Sequence, residues 1–403
     1  MRNLLLSVIV FIFLTSCSHR KEQRGSIIHG DYVTIPVPEQ DISTDINHTI
    51  LLSTIVDKID VIPLEFNVSC ILGEIRKVAI CGDNIFVLES QRSSAVYRFD
   101  MRGNFLNRIG SKGQGPEEII ELNDFTVNEE EQLIYLLDNY RQSILSCTFD
   151  GEVKESIKIN QYADQLHYKN GLFYLFLDQP KRGELYSLVV RDIHGGIKER
   201  FFPSKQYPIN MGNPVFAPQE EGVLFCKPMY DTVYFLRDTE MSRLYWVDFG
   251  SLRYSPQEIE DIYTERTKSL DLLLQKDRIT SIKKMFRVGD LFCFNSIYKI
   301  FDIFFVYNAR TQELKTSVGS LDDDLEYMFY GNEFCGQTED ALIGIYDSER
   351  IMEDINRYDQ HEKEGKITKE QKERFQSKMN ALRRGDDTEN MNPWILLYHV
   401  KKD

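Results

Sequence analysis

The sequence predicts an all-β fold, a six-bladed β-propeller, with helical insertions near 255–284 and 347–385. Three observations predict it. A unit of two β-forming runs joined by a turn recurs six times, each unit carries a turn residue at the same place, and residues within the runs alternate with period two. A ring of six similar blades accounts for all three.

The six units follow one another along most of the chain. The first four read NIFVLES then AVYRFDMRGNFLNRIG, LIYLLDN then SILSCTFDGEVKESIKI, LFYLFLDQ then SLVVRDIHGGIKERFF, and GVLFCKP then DTVYFLRDTEMSRLYWVDFG. The last two read LFCFNSIY then DIFFVYNARTQELKTSVG, and ALIGIYDSER then, after a long gap, WILLYHVKKD. The turn residues are Asp100, Asp150, Asp192, Asp238, Asn308 and His399. The first four are 50, 42 and 46 residues apart, close to the period of a four-stranded blade.

A ring of blades must close, because a first or last blade would otherwise leave a free strand edge. WILLYHVKK ends the chain with no outer strand after it, whereas DYVTIPVPE near the start belongs to no unit. The sequence therefore predicts that residues 31–39 complete the last blade beside residues 394–402.

Both insertions carry helix-start signals. Ser255 with Glu258, and Thr368 with Gln371, have the spacing of a capping box, in which the first side chain and the fourth cap each other's backbone N–H groups. Apolar stripes follow at Ile259, Ile262, Leu270 and Leu273, at Ile351, Met352, Ile355 and Tyr358, and at Phe375, Met379 and Leu382. For the second insertion we expect a helical hairpin laid over one face of the disc; a solvated excursion is the alternative.

The first residues, MRNLLLSVIVFIFLTSC, are typical of a bacterial lipoprotein signal. Arg2 gives a basic start, an apolar run follows, and Thr15 and Ser16 precede Cys17, the expected site of lipidation. The run is too short to cross a ~30 Å hydrocarbon core, which disfavours a transmembrane anchor. We expect a signal peptide over 1–16, a lipidated tether over 17–30 and the propeller over 31–403. The lipid would attach the protein to the outer membrane, on its periplasmic or cell-surface side.

Charge and cysteine usage narrow the class of protein. The formal net charge is −15, which disfavours nucleic acid as a partner because phosphate-backbone binders are basic. Six cysteines follow Cys17, widely scattered and mostly within apolar runs, so buried thiols are expected. A disulfide remains open, with Cys70 and Cys81 close in sequence.

The chain resembles the six-bladed β-propeller lipoproteins of Bacteroidetes, a family related to NHL-type propellers. The likeness is carried by IPLE at 62–65, FDMRGNFLNRIG at 99–110, GQGPEE at 113–118 and the strand start DTVY at 231–234. It implies the propeller fold and an extracytoplasmic location, and no defined reaction.

Few stretches carry recognisable chemistry. The loop GSKGQGPEE could present backbone N–H groups to an anion, or be a tight crossover between blades, which we favour. LDDDLE at 321–326 lacks the pattern of a calcium loop and is expected to be solvated. The spacing of the histidines predicts no metal site, and no cofactor is expected. Residues in loops of one face are the ligand-binding candidates: Lys112, Gln114, Glu117, Tyr140, Arg141, Tyr298 and Lys299.

Two functions remain open. The first is a non-catalytic binding module that presents loops and a central channel to a glycan or a partner protein of the cell envelope. The alternative is a polysaccharide lyase or glycoside hydrolase whose carboxylates gather at the channel from different blades. Carboxylates converging there with a His, Tyr or Arg would favour the enzyme.

Overall fold

The computed structural model describes residues 27–28, 30–89, 93, 95–177, 186–203, 215–259, 277–280, 282–326, 328, 333–365, 367–382 and 391–402. Within them, strands form six sheets arranged as a six-bladed β-propeller, which confirms the predicted fold. Cys17 lies outside the described residues.

The first strands within the described residues are β1 Ile27–Ile28, β2 Val33–Pro36 and β3 Val56–Pro63. Blade 1 contains β4 Ile75–Cys81, β5 Asn84–Glu89, β6 Ala95–Asp100 and β7 Phe105–Ile109. Blade 2 contains β8 Leu122–Asn128, β9 Leu133–Asp138, β10 Ser143–Thr148 and β11 Val153–Lys158. Blade 3 contains β12 Gln165–Lys169, β13 Leu172–Phe176, β14 Tyr186–Asp192 and β15 Ile197–Pro203. Blade 4 contains β16 Phe216–Gln219, β17 Gly222–Cys226, β18 Thr232–Arg237 and β19 Glu240–Asp248. Blade 5 contains β20 Lys284–Val288, β21 Leu291–Tyr298, β22 Phe301–Asn308 and β23 Glu313–Val318. Blade 6 contains β24 Phe334–Gln337, β25 Ala341–Tyr346 and β26 Trp394–Val400.

Five of the six predicted turn residues lie where the third strand of the blade turns into the fourth, and the sixth, His399, lies within β26 instead. The Asp100 carboxylate accepts hydrogen bonds from the backbone N–H groups of Arg102 at 2.8 Å and Asn104 at 2.9 Å. Asp192 and Asn308 form the equivalent contacts in blades 3 and 5. A short side chain that accepts backbone N–H bonds stabilises a tight turn, which explains why these residue types recur.

Ring closure differs from the prediction. The fourth strand of blade 6 is β3, which pairs antiparallel with β26 from Val56 opposite Val400 to Pro63 opposite Trp394. The predicted closing segment 31–39 instead contributes β2, which runs parallel to β19 at the outer edge of blade 4, with Val33 opposite Tyr245. The prediction was wrong because VDKIDVIP, a second β-forming run near the start, fits the free edge and buries side chains on both of its faces.

The start of the chain wraps the outer edges of three blades. β1 already pairs with Met241 and Ser242 of β19, so pairing begins inside the expected tether of 17–30. Ile35 is fully buried in the cluster between blades 4 and 5. The backbone then passes blade 5, where His48 accepts a hydrogen bond from Val318 N–H at 2.8 Å, and continues into β3. One segment therefore fastens blades 4, 5 and 6.

The second insertion is a helical hairpin, as predicted, of α1 Ser348–Lys363 and α2 Lys369–Leu382. Tyr358 stacks on Phe375 with ring centroids 3.7 Å apart, and both are buried in the cluster that joins blades 5 and 6. The predicted capping box forms: Thr368 N–H donates to Gln371 Oε1 at 2.6 Å, and Gln371 N–H to Thr368 Oγ1 at 3.2 Å. The packed hairpin excludes the alternative of a merely solvated excursion.

The first insertion begins as predicted. Ser255 N–H donates to Glu258 Oε2 at 2.9 Å, and Glu258 N–H to Ser255 Oγ at 3.2 Å. Residues 256–259 are helical, and β20 begins at Lys284. Ile262, Leu270 and Leu273 lie outside the described residues. Among the described helices, none combines the length and the apolar character that crossing a bilayer requires.

The disc has two unlike faces. We call the six hairpins that join the first and second strands of each blade the lower face: 82–83, 129–132, 170–171, 220–221, 289–290 and 338–340. The upper face consists of the connections between second and third strands, with the crossovers between blades. Because strands alternate in direction, the helical hairpin and all seven candidate residues belong to the upper face.

Candidate functional site

A central channel runs through the ring, with a cavity volume of ≈ 1460 Å³. Its walls are the first strands of all six blades, β4, β8, β12, β16, β20 and β24, and its lining includes residues from every lower-face hairpin. The channel therefore ends in a mouth at the lower face. The recurring units in the sequence covered second, third and fourth strands, so these inner strands were missed.

Polar side chains of the inner strands hydrogen-bond to the free backbone edge of the neighbouring inner strand. Lys77 Nζ donates to Phe125 O at 2.7 Å, joining blade 1 to blade 2. Leu166 N–H donates to Asp124 Oδ2 at 2.8 Å, joining blade 2 to blade 3. Val215 N–H donates to Gln165 Oε1 at 2.9 Å, joining blade 3 to blade 4. An unpaired strand edge facing a cavity needs such partners.

Blades 4, 5 and 6 are joined by one glutamine. Gln337 Oε1 accepts from Arg287 N–H at 2.7 Å, and its Nε2 donates to Arg287 O at 2.8 Å and to Pro218 O at 3.0 Å. The side-chain amide of Gln337 thus connects β24 to two other inner strands, β16 and β20. These contacts make the wall of the channel rigid on this side.

The buried carboxylate of the channel wall is structural. Asp124 is 6% exposed, forms an ion pair with Lys77 at 2.8 Å and accepts backbone N–H bonds from Phe125 and Leu166. Both oxygens of this carboxylate are thus occupied by partners within the protein. This arrangement speaks against Asp124 as a catalytic acid.

Two nitrogen atoms in the channel wall are buried without a hydrogen-bond partner among the described residues, His167 Nε2 and Arg287 Nε. Burial and the nearby Lys77 and Lys169 lower the pKa of His167 to about 3, so its imidazole is neutral at physiological pH. Its ring lies 6.0 Å from Phe216. A buried polar atom without a partner needs an explanation, such as an ordered water molecule or a ligand group that reaches it.

The lower mouth is acidic. Its hairpins contain nine carboxylates and neither lysine nor arginine: Asp83, Glu129, Glu130, Glu131, Glu220, Glu221, Asp290, Glu339 and Asp340. Basic side chains from elsewhere reach three of them: Arg237 pairs with Glu221, Arg310 with Asp290, and His399 with Asp340. The mouth stays negatively charged overall.

None of the seven predicted binding residues lines the channel. Lys112, Gln114 and Glu117 are exposed in the crossover between blades 1 and 2, and Tyr140 is 66% exposed in the adjacent turn. Arg141 Nη2 joins the two loops by donating to Gly115 O at 2.6 Å. The structure therefore brings these five together on the upper face.

The glycine-rich loop at 110–118 is a crossover between blades. Gly115 N–H donates to the chain's own Glu118 Oε2 at 2.7 Å, so an internal carboxylate takes the position an anion would occupy. Gly110 adopts φ +82°, a conformation that favours glycine. The favoured crossover interpretation is correct.

Tyr298 and Lys299 lie in blade 5, in a separate group from the other five. Lys299 Nζ pairs with Asp277 at 3.2 Å and lies 5.2 Å from the centre of the Tyr298 ring. The hydrogen bond and charge of Asp277 raise the pKa of Lys299. The seven candidates form two sites of the upper face rather than one rim.

The acidic loop at 321–326 departs from the expectation of a solvated loop. Asp323 is 2% exposed and accepts N–H bonds from Leu325, Glu326 and Met328. Burial raises its pKa. Within the described part of the chain, no three His, Cys, Asp or Glu side chains are grouped to hold a metal ion. All six cysteines after Cys17 are free, five of them buried, which confirms the buried thiols and resolves the open disulfide.

Comparisons with known proteins agree with the fold. The chain is similar to a protein of Bacteroides fragilis presumed to be exported, with 16% identity, a TM-score of 0.72, and coverage of 92% of this chain and 100% of that chain. It is also similar to a DUF4221 family member of Bacteroides vulgatus, with 13% identity, a TM-score of 0.49, and coverage of 86% and 97%. No curated protein matches it. The family model "Domain of unknown function (DUF4934)" matches residues 33–399, so the chain belongs to the DUF4934 family.

Proposed function

We propose that this protein is a lipid-anchored, extracytoplasmic binding module that holds a polar ligand, a glycan or a segment of a partner protein, in its central channel without altering it chemically. The observation that carries the proposal is the pair of unpartnered nitrogen atoms, His167 Nε2 and Arg287 Nε, in the wall of a large cavity. A concave site with a few convergent polar groups is the usual form of a binding pocket.

Asp124 and Asp164 line the channel together with His167, Tyr168 and Arg287, the combination expected for the alternative of a lyase or hydrolase. The contacts of the individual groups support binding instead. His167 is neutral and its pKa, about 3, lies far from the range in which an imidazole exchanges protons at physiological pH. Asp124 is committed to Lys77 and to backbone N–H groups. Gln337 holds the backbone of Arg287, which fixes the point at which the Arg287 side chain leaves the wall of the channel.

The proposed location outside the cytoplasm is inferred from the sequence of the chain. The signal at 1–16 with Cys17 supports export and lipidation, and a fold shared with a Bacteroides protein presumed to be exported is compatible with it. Replacing Cys17 by Ala should move the protein from the membrane fraction to the soluble fraction, and mass spectrometry of the wild-type N-terminus should show an acylated cysteine. Membrane recovery unchanged by Cys17→Ala, with an unmodified wild-type N-terminus, would contradict lipidation.

Binding is tested with the full-length protein in detergent on arrays of glycans and peptides, followed by calorimetry on the best ligand. Arg287→Met should weaken binding about tenfold or more, since a hydrogen bond to a charged group contributes ~1.5–3 kcal/mol. Arg108→Met, on the exposed outer strand β7 and outside the channel lining, is the matched control and should bind normally. A ligand recovered cleaved would instead favour the lyase or hydrolase, and equal affinities of the two variants would place the ligand elsewhere.

A further inference from the structure

The charge of the channel changes sign between its lower mouth and its wall. Four exposed carboxylates of the hairpins line the mouth and form no ion pair with a described residue: Glu129, Glu130, Glu220 and Glu339. Above the hairpins, five basic side chains and two acidic ones line the wall: Arg76, Lys77, Lys169, Lys283 and Arg287, with Asp124 and Asp164. Two of the basic side chains form ion pairs, at 2.8 Å and 3.1 Å, whereas Arg76, Lys169 and Arg287 have none among the described residues.

An excess of basic side chains in the wall stands out in a chain of net charge −15. Charges in a cavity act through a low-dielectric surrounding, so their field on a bound group is stronger than at the open surface. The wall therefore attracts an anionic group, and the mouth attracts a cationic one.

The ring of carboxylates at the mouth is interrupted at blade 3. Among the six lower-face hairpins, all of which the structure describes, Asn170-Gly171 is the one without a carboxylate. Lys169, the last residue of β12, precedes this hairpin and lines the channel. The neighbouring hairpins of blades 2 and 4 contain glutamates at 129–131 and 220–221. The mouth thus places one lysine between two groups of carboxylates.

Lys169 lies on the same face of β12 as His167, because side chains two residues apart on a strand project to the same side. On this side the His167 ring lies 6.0 Å from Phe216 of β16. Burial, with the positive charges of Lys77 and Lys169, keeps the imidazole neutral by lowering its pKa. Its buried Nε2 has no partner among the described residues. A neutral imidazole can donate through this nitrogen, so a carboxylate placed here would accept from both His167 and Lys169.

We propose that the ligand of the channel is a peptide segment carrying both signs of charge, with a carboxylate at Lys169 and His167 and a basic group at the glutamates of the mouth. This inference rests on the proposed function, which leaves a glycan and a protein segment open. A neutral glycan has no charge for either feature, and an acidic glycan has only the sign that the mouth repels. A peptide supplies both, through Asp or Glu and through Lys or Arg.

The size of the channel fits a short extended peptide. Its inner strands have four to seven residues, which at ~3.3 Å per residue gives a depth of about 15–20 Å. An extended peptide of five or six residues has the same length, so that its charged side chains reach the wall and the mouth together.

Pools of hexapeptides test this inference on the full-length protein in detergent. The peptides are acetylated and amidated, so that only their side chains are charged. Four pools contain both Lys and Asp, Lys alone, Asp alone, or neither, and binding is measured by fluorescence polarisation. We expect the pool with both charges to bind most tightly, and its affinity to fall as the ionic strength is raised.

Two substitutions assign the charges to their partners. Lys169→Met should weaken binding of the pool with both charges about tenfold, the usual factor for a charge-assisted hydrogen bond, and leave the Lys pool unchanged. Glu220→Gln should weaken both pools that contain Lys about threefold, since an exposed ion pair contributes less. Lys154→Met and Glu155→Gln, on β11 and outside the channel lining, are the matched controls and should bind as the wild type does. Glu220 lies on an exposed hairpin, so Glu220→Gln remains a test even if Lys169→Met lowers the urea midpoint.

The outcomes separate this inference from the proposed function. Glycans that bind the wild type and lose affinity with Arg287→Met, while no peptide pool binds, would overturn the inference and leave the proposed function intact. Equal affinities of the four pools, or a Lys169→Met variant that binds the pool with both charges as the wild type does, would also overturn it. If Arg287→Met weakens neither peptides nor glycans, the proposed function fails, and this inference with it.

Discussion

Strand β3 closes the ring, so the loss of a buried side chain from it should destabilise the whole propeller. Ile59 and Ile62 point to opposite faces of blade 6. Ile59, 5% exposed, packs in the cluster shared with blade 5, and Ile62, 6% exposed, in the cluster shared with blade 1. Each substitution by Ala therefore tests one of the two seams that β3 seals.

The expected magnitude follows from burial. Ile→Ala removes about three carbon atoms at ~0.8 kcal/mol each, and the residual cavity raises the loss to about 3–4 kcal/mol. That is a large part of a typical folding free energy of ~5–15 kcal/mol. Val33→Ala on β2 is the matched control, because Val33 is 42% exposed and its truncation should cost less than about 1 kcal/mol.

The two tryptophans provide the assay. Trp394 is paired with Pro63 of β3, and Trp246 with Thr34 of β2, so urea unfolding followed by fluorescence reports on both N-terminal strands. Ile62→Ala should lower the midpoint by about 1 M, since the m-value of a chain this long lies at or above the upper end of the usual range, ~3 kcal/mol/M. A midpoint for Ile59→Ala and Ile62→Ala no lower than that of Val33→Ala would refute closure by β3.

Three further outcomes are expected. The ordinary pKa of histidine is 6.5, and that of His167 in the fold is about 3, so between these pH values the unfolded chain binds a proton that the folded chain does not. The free energy of unfolding therefore decreases as the pH is lowered through this window, by up to about 1.4 kcal/mol per pH unit. His167→Phe should flatten urea midpoints measured between pH 6.5 and 4; an unchanged slope would show that His167 is charged in the fold. Asn392→Ala should cost about 1–3 kcal/mol in urea unfolding, since buried backbone groups lose their partner; a cost near zero would mean that water replaces the amide. Tyr346→Phe removes the hydrogen bond from Tyr346 to Asp354 of α1 and should increase hydrogen exchange in α1 and α2; unchanged exchange would show that apolar packing alone holds the hairpin.

The repeat pattern in the sequence predicted most of the fold. Period-two runs, an Asp or Asn at the turn before the fourth strand, and the capping boxes at Ser255 and Thr368 are local signals. Local hydrogen bonds account for the turns at Asp100, Asp192 and Asn308 and for both capping boxes. Closure was misassigned because it depends on which of two β-forming segments pairs with β26. Both are β-forming, and the long-range packing of Ile59 and Ile62 on opposite faces favours β3.

The candidate site was much less accessible from sequence. The inner strands are short and mix apolar with polar residues, since one edge faces the channel, so LHYK or FRVG gives no clear repeat. Arg287 and His167 carry no motif, and their meaning comes from missing partners that only the structure shows. The conspicuous GSKGQGPEE loop, in contrast, uses its own Glu118 and is structural.

The central claim is that the channel binds a polar ligand and leaves it intact. A crystal structure of the full-length protein with its best array ligand tests it most directly. The account predicts density for an unaltered ligand inside the channel, in hydrogen-bond contact with the Arg287 guanidinium and the His167 ring. Density for a ligand on the upper-face loops around Tyr140 and Lys112, or for a cleaved product in the channel, would contradict it.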